Sequence, residues 1–148
     1  MKVYFLDTSA FLKRYLKETG SDIIDAIFGE YTARYVSGLC LLETLSNLRR
    51  LHSVDGLLAK DHLQLLQAAV ASDIESGKVI VVNATPADIE AAVQILARQY
   101  LTAVDALQVA AAKALGPEVV FVSSDVKLNR VAAEQGLTVL DPAVGNAG

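Results

Sequence analysis

Four carboxylates stand where an ordinary surface charge would not. Asp7 closes the apolar run Val3-Tyr4-Phe5-Leu6 and is followed by Thr8 and Ser9. Asp125 repeats that arrangement, because Val119-Val120-Phe121-Val122 leads through Ser123 and Ser124 into it. Asp105 lies in the weakly charged helical stretch from Leu101 to Ala112, where an unpaired carboxylate is costly. Glu43 follows Leu39-Cys40-Leu41-Leu42, and helical spacing puts it on one face with Ser46, Asn47 and Arg50. Each has a plainer account when taken singly. Asp7 and Asp125 are good N-caps, Thr102 and Asp105 have the spacing of a capping box, and Glu43 suits a solvated face. Taken together, all four fall near strand ends or helix starts, which a parallel sheet gathers along one edge. Carboxylates that converge cannot all stay ionised without a cation, and oxygen-only donors favour Mg²⁺ or Mn²⁺ over zinc. Such ions are commonly shared with phosphate oxygens, so the chemistry indicated is phosphoryl transfer.

The elements that must position these acids are legible as an alternation of short apolar runs and longer stretches of helical period, the signature of an α/β sheet with parallel strands. Strands are expected at Val3 to Leu6, Arg34 to Ser37, Val79 to Val82, Val119 to Val122 and Thr138 to Leu140. All but Arg34 to Ser37 lack an internal charge, as strands covered on both faces should. Helices are expected at about Ser9 to Lys17, Ser21 to Gly29, Leu39 to His52, Leu57 to Ser76, Ala87 to Tyr100, Ala103 to Leu115 and Val126 to Gln135. Thr85-Pro86 reads as an N-cap followed by Pro in the first turn, and Gly116-Pro117 and Gly136 end helices. One domain is expected over residues 1–142, with 143–148 as a flexible C-terminal tail.

Composition narrows the function classes. The 148 residues, 53% hydrophobic, suffice for one core. Thirteen Lys and Arg against 17 Asp and Glu give a net charge of −4, which excludes a broadly basic nucleic-acid coat. Setting the four acids aside leaves 13 against 13, so local clusters can still guide a polyanion. Lys13, Arg14 and Lys17 after Asp7, and Arg49 with Arg50 after Glu43, are the candidates for phosphate contact. Cys40 is the only cysteine, and His52 and His62 are the only imidazoles, so neither a disulfide nor a structural zinc site is available within the chain. Mean hydropathy is +0.38, yet the longest stretch free of Asp, Glu, Lys and Arg is the 11 residues from His62 to Ser72. A bilayer span needs roughly 20. With no secretory signal legible after Met1 and Lys2, a cytoplasmic protein is expected.

In this order and at these separations, several segments resemble one family. They are Phe5-Leu6-Asp7-Thr8-Ser9-Ala10 with Lys13-Arg14-Tyr15 and Glu18 to Ser21; Leu42-Glu43 opening a Leu-rich helix; Thr102 to Ala110; and Phe121-Val122-Ser123-Ser124-Asp125 with Leu128 and the closing Gly136 to Pro142. The sequence resembles the PIN-domain ribonucleases, most closely those of the VapC toxin type, over nearly its whole length. The resemblance implies a three-layer α/β/α fold around a central, mainly parallel sheet of four to five strands. It makes Asp7, Glu43, Asp105 and Asp125 the metal-binding catalytic acids, with Ser123 as the hydroxyl residue that helps position them. Gln108 and Ser123 are mild departures, since many relatives have His and Thr there. The implied activity is Mg²⁺- or Mn²⁺-dependent endoribonucleolytic hydrolysis by a metal-activated water, with Glu43 orienting that water or completing the shell. The implied partners are an RNA substrate, a cognate antitoxin and a second copy in a homodimer.

Other readings fit less well. A haloacid-dehalogenase-like phosphatase needs a second Asp two residues after the first, where this chain has Ser9. A phosphoacceptor receiver needs an Asp closing a central strand, and Asp55 lies between helices. The serious alternative is a non-cleaving PIN-like module that binds RNA or protein, against which the presence of all four acids argues.

Overall fold

The computed structural model describes residues 1–144 of the chain. Its elements run β1 (Val3–Leu6), α1 (Thr8–Leu12), α2 (Ser21–Gly29), β2 (Arg34–Ser37), α3 (Gly38–Ser53), α4 (Lys60–Glu75), β3 (Ile80–Val82), α5 (Pro86–Leu96), α6 (Ala103–Ala114), β4 (Val119–Val122), α7 (Val126–Glu134) and β5 (Thr138–Leu140). The five strands form one sheet in the order β3-β2-β1-β4-β5, and every pairing is parallel.

Side-chain alternation along the central strands builds two cores. Phe5 and Phe121 point to one face and stack at 5.9 Å across the β1–β4 pair, and there they meet Ala92 and Ile95 of α5, Val109 of α6 and Leu128 and Val131 of α7. Tyr4, Leu6 and Val122 point to the other face, against Phe11 of α1, Ile24 and Ile27 of α2 and Cys40 of α3. Helices thus cover both faces, giving the three-layer α/β/α arrangement. The α3–α4 hairpin adds a satellite cluster around Leu48, Leu63 and Val70.

The path of the chain matters most for the site. From β1 it steps outward through β2 to β3, then returns to the opposite side of β1 to lay down β4 and β5. The reversal falls between β1 and β4. In open α/β sheets the crevice beyond the strand ends at such a reversal is where ligands bind. Leu6 pairs with Val122, so the next residues out on either side of the crevice are Asp7 and Ser123.

The structure departs from the sequence expectations in places with identifiable causes. The first helix was expected to reach Lys17 but ends at Leu12, because Lys13, Arg14 and Tyr15 each close tighter bonds to the carbonyl three residues back. The fourth helix starts at Lys60, not Leu57: the amides of Leu57 and Leu58 both turn back onto Leu51 O. The outer strands β3 and β5 are only partly covered, with Ile80 41% exposed, as edge strands are. Residues 143 and 144 form a turn after Asp141, and the remainder of the expected tail lies outside the described residues. Among the described residues no helix is long and apolar enough to cross a membrane.

Candidate active site

Asp7 is the N-cap of α1 and at the same time the most tightly held acid of the group. Its Oδ1 accepts from Ala10 N at 2.9 Å and from Ser9 Oγ at 2.7 Å, and its Oδ2 accepts from Ser123 Oγ at 2.6 Å. A carboxylate offers about four acceptor sites, so one lone pair on Oδ2 is left. Asp7 is 4% exposed. Burial pushes its carboxyl up to about 6 against the pull of those three donors, and the charge of Asp105 pushes the same way.

Ser123 joins the two sides of the crevice. While its hydroxyl donates to Asp7, its Oγ accepts from Asp125 N at 3.0 Å, and Asn129 Nδ2 donates to its carbonyl at 2.7 Å. Ser9 Oγ in turn accepts from Ser124 N at 3.1 Å. The turns after β1 and β4 are thereby tied together by two serines. Asp125 caps α7 through Oδ1, which accepts from Leu128 N at 3.0 Å. Its side chain is exposed.

Asp105 sits in the first turn of α6, below an N-cap in which Thr102 Oγ1 accepts from Asp105 N at 3.2 Å. It is half-buried, and desolvation raises its carboxyl; the Thr102 hydroxyl opposes this, and the charges of Asp125 and Glu43 add to it. Glu43, on α3, is exposed, and Thr8 Oγ1 donates to its Oε1 at 2.7 Å. Asp105 thus lies within electrostatic reach of each of the other three acids, Asp7, Asp125 and Glu43. The capping accounts for Asp7 and Asp125 are also correct: each residue caps the helix that follows it.

The donor set suits a hard divalent ion. Every donor is oxygen; Glu43, Asp105 and Asp125 each keep an oxygen without a protein hydrogen bond among the described residues, and Asp7 keeps one lone pair on Oδ2. Burial first, and repulsion between acids second, already raise Asp7 and Asp105. As the side chains stand, no three His, Cys, Asp or Glu among the described residues are close enough together to hold an ion.

The expected phosphate contacts need correction. Lys13 is 8% exposed and pairs with Glu18 at 3.1 Å, while Arg14 pairs with Asp73 at 3.3 Å and lies over the Phe28 ring at 4.4 Å. Both tie α1 to its neighbours. Lys17, Arg49 and Arg50 remain exposed, with Arg50 3.7 Å from Asp55. Sequence reasoning missed Thr8, Ser9 and Asn129 as the groups that hold the acids and their turns. The adjacency of Thr8 and Ser9 to Asp7 was the available clue.

The PIN domain family model matches residues 4–134, and no curated protein sequence gives a match. Among solved structures, the chain is similar to FitAcB from Neisseria gonorrhoeae at 15% identity and a TM-score of 0.71, covering 94% of this chain and 97% of that one. It is also similar to VapBC2 from Rickettsia felis, solved with a DNA fragment from its promoter, at 13% identity and a TM-score of 0.66, covering 94% and 98%. A third is PAE2754 from Pyrobaculum aerophilum, at 20% identity and a TM-score of 0.60, covering 97% and 91%. With the match running from within β1 to the last residue of α7, the chain belongs to the PIN-domain family.

Proposed function

We propose that the protein is a Mg²⁺- or Mn²⁺-dependent endoribonuclease and the toxin of a toxin–antitoxin pair. Asp7, Glu43, Asp105 and Asp125 hold the ion in this reading. The observation that carries it is a buried carboxylate at the sheet's reversal point, raised to about 6 and facing the charge of a second raised acid. A cation removes that repulsion. Family membership and the toxin–antitoxin complexes among the similar folds support the same assignment.

When bound, the ion neutralises charge on the scissile phosphate and makes a nearby water more acidic. The protein's own groups supply the rest. Ser9, Ala10 N and Ser123 fix the Asp7 carboxylate so that its free Oδ2 lone pair points one way only. Thr8 anchors Glu43 through Oε1, which leaves Oε2 to orient the attacking water and accept its proton. Ser123 keeps the β4–α7 turn in register with Asp7 by holding Asp125 N.

The partners follow as proposals: an RNA substrate, a cognate antitoxin and a second copy of the chain. Ile89, Val93 and Leu96 form an exposed apolar stripe on α5, which supports the homodimer. A cytosolic setting suits an RNA substrate and a lone, buried Cys40 whose thiol burial pushes up to about 12. The test is RNA cleavage by wild type and Asp7→Asn with Mg²⁺, Mn²⁺ or EDTA. Metal-dependent cleavage that the substitution abolishes is expected. The unclosed acid set favours one second reading, a non-cleaving binding module. RNA binding with no metal-dependent cleavage in wild type would establish it instead.

A further inference from the structure

A cleft of about 270 Å³ opens on the same sheet edge, beyond the ends of β2 and β3 and beside the acids. Leu39 and Leu42 of α3 and Leu107 and Ala111 of α6 form its apolar walls, and Asn83 and Gln108 contribute amides. It borders the candidate active site on both sides. Leu42 directly precedes Glu43, and Gln108 lies one helical turn beyond Asp105. Asn83 lies over the start of α3, where Gly38 has no Cβ; one added there would fall 2.7 Å from Asn83 Oδ1.

Gln108 is the unexplained feature. It is 2% exposed, and its Oε1 is buried without a hydrogen-bond partner among the described residues. A buried amide oxygen left unpaired costs free energy, so such a group in a structure calls for an explanation. Its terminal torsion is soft, which lets the amide turn into the cleft without leaving its rotamer. A neutral cleft with apolar walls and an unmatched amide, next to acids suited to a phosphate-bound ion, has the features of a base site. RNA is read in this way by splaying a base from its stack, covering its faces and hydrogen-bonding its edge.

We infer that this cleft takes one unstacked nucleobase of single-stranded RNA beside the scissile phosphate, and that Gln108 bonds its edge and sets base preference. The inference rests on the endoribonuclease reading for its substrate, but the cleft can be tested apart from cleavage. The test titrates AMP, CMP, GMP and UMP, with ribose 5-phosphate as the base-free control, into isotope-labelled Asp7→Asn protein in EDTA. The Gln108 side-chain amide and Ala111 methyl resonances are followed. At least one nucleotide should shift both signals and ribose 5-phosphate neither, and Gln108→Leu should weaken that nucleotide by about fivefold, the worth of one hydrogen bond. Ala111→Leu, which fills the cleft, should abolish the shift and guards against a folding defect in the first variant. In parallel, cut sites in random-sequence RNA should show a base bias next to the cut for wild type that Gln108→Leu flattens. Nucleotide shifts without metal-dependent cleavage would leave the base site standing and remove the nuclease reading. Cleavage with unchanged bias in Gln108→Leu, or no response to any nucleotide, would overturn the base site alone. So would a Gln108→Leu variant that loses self-association while binding nucleotides as wild type does, since the cleft would then be a protein contact.

Discussion

Asp7 ionises at a pH where the unfolded chain has already lost the same proton, so its titration is coupled to folding. The folded value of about 6 lies above the ordinary 3.8, and between the two the native state binds more protons than the unfolded one. Stability therefore falls as pH rises through this window, by about 3 kcal/mol in full. In urea unfolding with EDTA, wild type should lose about 1–2 kcal/mol more than Asp7→Asn between pH 5 and 7.5. An equal slope in the two proteins would show that Asp7 is not raised. Ser123 offers a second check, because its one hydroxyl serves both Asp7 Oδ2 and Asp125 N. Ser123→Ala should cost about 1–2 kcal/mol, and Ser123→Thr, which keeps the hydroxyl, should restore most of it. Asp7 and Asp125 stand out in the sequence because each lies just past an apolar strand with hydroxyl residues beside it, whereas Glu43 and Asp105 join them only through the resemblance. The bond from Thr8 to Glu43 was not, since it spans 35 positions and depends on how α1 meets α3.

Among the elements, those punctuated by caps were readable and those ended by tertiary contacts were not. Thr85 and Asp88 form a reciprocal capping box with Pro86 in the first turn, and α5 begins where that pattern says. Thr85→Ala should cost about 1 kcal/mol. The first helix stops early because Lys13, Arg14 and Tyr15 leave it to reach Glu18 and Asp73, and no local signal encodes partners 58 and 59 residues away. Gly20 is the stricter position. It has a φ of 95°, and a Cβ there would sit 2.7 Å from Pro142 O, so the α2 start and the segment after β5 fit together only with glycine. Gly20→Ala should cost at least about 2 kcal/mol, combining left-handed strain with that clash. Thermal unfolding that ranks Thr85→Ala below Gly20→Ala in stability would contradict this assignment.

At the scale of the whole molecule, sheet order decides what the sequence could only suggest. Apolar runs announce five strands, but nothing local dictates that β4 lies against β1. That pairing sets Asp7 beside Ser123 and the turn that carries Asp125. A ligand that binds only the folded state stabilises it by mass action. Millimolar Mg²⁺ should thus raise the melting temperature of wild type by a few degrees and that of Asp7→Asn by much less. A wild-type melt indifferent to Mg²⁺ and Mn²⁺ would remove the ion from the proposed function.

The two serines that stitch the β1 and β4 turns together have a further implication. Asp7, Glu43 and Asp105 are all synthesised before Ser123, yet the Oδ2 of the first has no partner until Ser123 docks beside it. A fragment that stops at Leu115 contains three of the four acids but lacks the Ser123 that bonds the first of them. On the proposed reading, cleavage waits on the β4 turn, and a chain clipped before Ser123 should be inactive on RNA.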